Sequence, residues 1–205
     1  MSGTPVTVTN AGLDLLRDGL SGAASNTAIT YVAIGSGLTT FTSGLTSGSP
    51  YTSLPVAALP SAVVTGQSLT IVNAAGQSQA VVVAAPGAAI SATAIPVTSF
   101  TASFTYASGD GVVRTSAATD TALDVETYRA ALSGYANGGS VGEGLFTLYL
   151  SPTAGIGQIQ EVGWYGGASA SATPGSGVLL ARVLYSHNHT ALESINSVLD
   201  SVFSA

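Results

Sequence analysis

The chain has 205 residues, room for one ordinary domain or one domain with a small insertion. Only 7% of them are charged, against roughly 25% in a typical soluble domain, and lysine is absent. Four arginines (Arg17, Arg114, Arg129 and Arg182) against ten acids leave a formal charge of -6, a poor match for a run of phosphates or an anionic membrane surface.

Alanine, serine, glycine and threonine supply 108 of the 205 residues, and the mean hydropathy is +0.46. Disorder of the usual kind needs low hydrophobicity and high charge, which is the reverse. Cysteine is absent, so disulfides, thiolate catalysis and cysteine-type zinc sites are excluded. Met1 to Pro5 has no basic region and no apolar run, so no signal peptide is expected there. The apolar stretch 80–90 is broken by Pro86 and Gly87 and is too short to span a bilayer. A surface so poor in charge predicts burial against copies of the chain or against other subunits, the alternative being a monomer solvated by its Ser, Thr and Gly.

In chain order, the first expected element is a helix capped by Asn10 and running from Ala11 to Leu20. Leu13, Leu16 and Leu20 are spaced for one face, Asp14 is assigned to the first turn, and Gly19 and Gly22 offer a stop. Ile29 to Ile34 alternates as a strand, and Gly35-Ser36-Gly37 ends it as a turn. No phosphate-loop or dinucleotide pattern follows that glycine pair. Residues 38–50 are rich in Thr, Ser and Gly and read as a linker.

From residue 51 to about 113 the only charge is Asp110, and five of the eight prolines fall between 50 and 96. Short strands at 68–72, 79–84, 93–97 and 102–106, with turns at 73–76 and 85–87, predict a small all-β module at 46–113. Its core should be thin, so it is expected as an insertion supported by its neighbours. The segment 119–132 fits either a helix capped by Asp120 or an extended strand. After the Asn137-Gly138-Gly139 turn come strands at 145–150, 158–165, 178–185 and 194–203, with a Gly, Ser and Ala loop at 166–177. The expected fold is mainly β. An antiparallel sandwich-like scaffold (1–45 and 114–205) carries one N-terminal helix and the inserted module.

Residues with chemistry are few. His187 and His189 share a strand face by parity and are weak metal candidates, with Glu193 the only further ligand nearby. The alternative sets both in a turn before the last strand. No Gly-x-Ser-x-Gly elbow lies between strand and helix, and Asp120, Asp124 and Glu126 lack an apolar, aromatic setting, so no enzyme and no cofactor are expected. Glu161 and Arg182 stand alone among apolar or small strand neighbours. Either they pair with each other across the sheet, or they pair with a neighbouring subunit, or both face solvent. Trp164 and Tyr165 occupy opposite faces of one strand, which places at least one of them away from the chain's own core and suits an interface.

The motifs carry a resemblance. Val8-Thr9-Asn10-Ala11-Gly12-Leu13, then Ile29-Thr30-Tyr31-Val32-Ala33-Ile34-Gly35-Ser36-Gly37, resembles the start of many tailed-bacteriophage tail, collar and baseplate-associated proteins, as does Glu126-Thr127-Tyr128-Arg129. So do Gln160-Glu161-Val162-Gly163-Trp164-Tyr165-Gly166-Gly167, Gly177-Val178-Leu179-Leu180-Ala181-Arg182 and Glu193-Ser194-Ile195. The segments 54–60 and 94–97 look like a β-rich insert of phage virion proteins. The resemblance implies a virion structural protein without catalytic residues, homo-oligomeric, joined to tail tube, connector or fibre subunits, and located in the tail, neck or baseplate. Glu161, Trp164, Tyr165, Arg182 and Arg129 are the expected assembly residues. A capsid-decorating or head-fibre protein and a cell-surface carbohydrate-binding module are the other readings.

Overall fold

Alternating apolar strands with glycine and serine turns build a chain that is 49% strand and 6% helix. The computed structural model describes residues 6–21, 28–139 and 143–202. The expectations that fall on Met1 to Pro5, Gly22 and Phe203 lie outside the described residues.

Among the described residues, fourteen strands and one helix follow in order. β1 (Thr7–Val8) leads into α1 (Asn10–Leu20), and β2 (Ile29–Gly35) follows. Then come β3 (Thr39–Thr40), β4 (Pro50–Pro55), β5 (Ser68–Val72), β6 (Ser78–Val82), β7 (Ala94–Thr101) and β8 (Gly111–Arg114). The chain ends with β9 (Glu126–Ala131), β10 (Gly134–Asn137), β11 (Glu143–Leu150), β12 (Gly157–Gly166), β13 (Val178–His189) and β14 (Ile195–Val202).

Two antiparallel sheets form the scaffold. One has five strands in the order β1-β13-β12-β2-β9, the other three in the order β10-β11-β14. They share one apolar core. Val32, Ile34, Val162, Trp164 and Val183 come from the larger sheet, and Leu148, Leu150 and Leu199 from the smaller. The opposite face of the larger sheet is also covered, by a second small cluster of Ala33, Leu123, Tyr165 and Leu179. The expectation that Trp164 or Tyr165 lies away from the chain's own core is therefore corrected, since the two rings are 2% and 1% exposed. Parity does put them on opposite faces, but the 115–125 segment covers the face that was expected to be open.

The segment 39–114 closes into a ring. Its four-stranded sheet β3-β8-β5-β6 meets the pair β4-β7 at both ends. Val83 bridges Val97 and the Ala84 amide donates to the Pro96 carbonyl. Phe41 bridges Val56, and the Thr42 amide donates to the Pro55 carbonyl. The core inside includes Leu38, Phe41, Leu45, Leu54, Leu69, Ile71 and Tyr106. It is not thin, because residues 38–50 are not a plain linker: they hold β3 and supply Leu38, Phe41 and Leu45 to the core.

Two further expectations change, and two open alternatives are decided. The helix cap is Thr9, whose hydroxyl accepts from the Gly12 amide, so Asn10 is already helical and Asp14 falls beyond the first turn. Residues 102–106 form no strand. The Ala102 amide donates to the Ser49 carbonyl, and only Tyr106 makes a bridge, to Leu45. The 119–132 segment forms no helix: 119–125 is irregular, and only β9 is extended, paired to β2. Finally, β13 runs on to His189, so both histidines lie on a strand paired with β12 and not in a turn.

Candidate functional site

Five ionisable side chains converge where the ring meets the scaffold. Arg182 faces Gly163 across the β12–β13 ladder and Glu161 faces Leu184, so the two charged residues are diagonal neighbours on one face. The Arg182 guanidinium donates through Nε to Glu161 Oε2 at 2.9 Å and through Nη1 to Asp120 Oδ2 at 2.7 Å. Its Nη2 lies 2.7 Å from Glu161 and 3.2 Å from Asp124. Asp124 also accepts from the Arg114 side chain at 2.7 Å and from its backbone amide at 2.8 Å. Arg114 reaches back into the ring through Nη2 to Ser61 Oγ at 2.7 Å. Glu161 accepts the Asp124 amide at 2.8 Å, so the carboxylate also holds the connecting segment.

Three carboxylates and two guanidiniums thus make one internal network, with Glu161 and Arg182 0% and 1% exposed. Burial pushes the Glu161 carboxyl above its ordinary value, against the pull of Arg182. Burial also works against the charge of Arg182, but its carboxylate partners outweigh it and hold the guanidinium above its ordinary value. Gly35 belongs to the same construction, because a Cβ there would lie 2.5 Å from Glu161 Oε1 and 2.8 Å from the Val125 carbonyl. Glu161 and Arg182 therefore pair with each other within the chain, as one sequence alternative has it, and do not face solvent.

Arg129 works separately. Its Nε and Nη2 donate to the two oxygens of Glu126 at 2.7 Å each, and Nη1 donates to the Ser176 carbonyl in the 166–177 loop. Its guanidinium carbon sits 4.0 Å from the centre of the Tyr165 ring. Burial pushes the Tyr165 hydroxyl up to about 12, and that oxygen accepts the Leu123 amide. The five residues expected at an assembly surface (Glu161, Trp164, Tyr165, Arg182 and Arg129) are all buried within the chain. They brace the scaffold.

His187 and His189 share a face without sharing a ligand geometry. His187 Nε2 lies 3.0 Å from Glu193 Oε1. His189 is 1% exposed, with Nδ1 3.2 Å from the Gly155 carbonyl and Nε2 3.2 Å from the Glu193 carbonyl. Both ring nitrogens of His189 are thus directed at backbone. No group of three metal-ligating side chains assembles among the described residues.

Sequence reasoning missed the partners of the buried pair. Asp120, Asp124 and Arg114 lie 37 or more positions from Glu161 in the chain, and only the fold brings them beside it. It also missed where apolar surface remains open. Leu20 is 93% exposed and Leu13 54%. Compared with family models, curated proteins and solved structures, the chain matches none.

Proposed function

We propose that this chain is a structural subunit of a tailed-bacteriophage virion. It acts as a homo-oligomeric adaptor that attaches fibres or joins parts of the tail, collar or baseplate. The observation that carries the reading is the placement of the motif-bearing segments. Residues 8–13, 29–37, 126–129, 160–167 and 177–182 are spread over most of the chain, yet they build one five-stranded sheet with α1 beside it, and the remaining motif, 193–195, leads into β14 of the smaller sheet packed on it. The ring interrupts that sheet only between β2 and β9, as an insertion in a virion subunit would.

The charge distribution supports the same reading. All four arginines are paired with carboxylates of their own chain and only Arg17 is well exposed, which leaves no cluster of guanidiniums to meet a phosphate backbone. The ion network braces the junction between ring and scaffold and does no chemistry. A capsid-decorating or head-fibre subunit is the second reading, favoured by the ring having a core of its own. Trp164 is buried, so the single tryptophan offers no stacking platform for a sugar.

Mass spectrometry of purified phage particles produced by cells carrying this gene tests the proposal. The chain is expected at a fixed multiple per particle, with antibody label on the tail or neck. Label on the head selects the second reading, and absence from the particles overturns both.

A further inference from the structure

The N-terminal helix is mounted the wrong way round for a monomer. An amphipathic helix normally buries its leucines. Here the only fully buried helical residue is Gly12, and a Cβ there would stand 2.6 Å from the Leu180 carbonyl oxygen. The helix therefore sits on β13 through its glycine side. Leu15 turns inward toward Gly167, and Leu16 is half-buried at the flank. Leu13 and Leu20 point outward. Thr9 fixes this setting, because its hydroxyl both caps the helix and donates to the Leu179 carbonyl of β13.

We infer that the stripe Leu13, Leu16 and Leu20 is the contact through which copies of this chain associate, helix against helix. The inference rests on the homo-oligomeric reading above and names its surface. A second copy is the occupant for three reasons. The spacing of three and then four residues is that of a helix–helix seam, which is complementary to itself. The charges beside it are of both signs, since Arg17 is bonded to Asp14 and Asp18 on the exposed side. Two copies can therefore exchange these pairs, whereas a strongly basic or acidic partner would meet one mismatched sign. Val8 in the edge strand β1, 46% exposed, adds apolar surface just ahead of the helix.

The absence of cysteine makes the test direct. Light scattering on the full chain is expected to give an oligomer. The double variant Leu13→Glu, Leu20→Glu should run as a monomer that keeps the wild-type circular dichroism spectrum, because neither exposed side chain supports the chain's own core. Leu192→Glu, at a 96% exposed site in the loop before β14, should leave the mass unchanged. Leu20→Cys, then the sole thiol, should give disulfide-linked dimers on oxidation. If wild type and the double variant associate equally, the helix seam is overturned while the oligomer stands. If wild type is monomeric at its highest soluble concentration, both fall. Should the double variant misfold, the Leu20→Cys cross-link decides, and no dimer band overturns the seam.

Discussion

Arg182 is the residue on which most of the internal electrostatics depends. It touches Glu161, Asp120 and Asp124, and removing it leaves buried carboxylates without their main cation. Arg182→Met should cost about 3–5 kcal/mol in urea unfolding at pH 7, the usual penalty for breaking a buried pair from one side. The pH dependence follows from Glu161. A carboxyl raised above its ordinary value of 4.5 binds its proton more tightly in the folded state than in the unfolded. Its contribution is therefore present at low pH and lost as pH rises through the raised value. Without Arg182 that loss deepens, so the variant's deficit should shrink as the pH is lowered from 7 toward the ordinary glutamate value. Glu161→Gln keeps the shape and removes the penalised charge. It should flatten the wild-type stability profile over the same window, and a deficit for Arg182→Met that is constant with pH would contradict this account.

At the scale of elements, α1 depends on close approach to β13. The helix has few buried side chains, so its docking rests on Gly12 against the backbone of Leu180 and on the Thr9 cap. Gly12→Ala places a methyl group where backbone atoms already stand. It should cost about 1–3 kcal/mol, the range for overpacking, although alanine favours an isolated helix over glycine. Limited proteolysis near residue 20 should accelerate in that variant while the rest of the chain resists. The same element shows what periodicity conveys and what it omits. The spacing of Leu13, Leu16 and Leu20 located the helix and its apolar stripe. It did not reveal that the stripe faces outward, because that is set by the glycine contact with a strand about 170 residues away.

At the scale of the whole molecule, two β structures with separate cores meet where β8 packs on β12, with Gln160 against Gly111 and a polar junction beside it. In the ring at 39–114, a stretch almost free of charge pairs its strand edges within the chain. Its strands close on themselves and leave no long free edge, so lysine is not needed to protect one. The junction is Asp124, which holds Arg114 at the end of the ring and Arg182 in the scaffold. Asp124→Ala should convert a single thermal unfolding transition into two, one for each core, in differential scanning calorimetry. A single transition at lower temperature would show that the cores are coupled by other contacts.

The scarcity of charge, the mainly antiparallel strands from 145 onward and the strand at 29–34 were legible in the sequence, because composition, alternation and turn residues are local properties. The isolation of Glu161 and Arg182 in apolar strands was legible too, and burial cost alone required a partner for each. Who the partners are was not. Asp120 and Asp124 lie in an irregular segment with no period, and they reach the pair only because β2, β12 and β13 are adjacent in one sheet. The same holds for Leu38, Phe41 and Leu45, which read as a linker by composition and become core residues once the ring closes around them. The sequence by itself determined the strand-rich class, the scarcity of charge and the helix with its leucine stripe, since each depends on neighbours along the chain. Only the tertiary structure decided which surfaces remain open, because exposure is fixed by contacts between residues far apart in sequence.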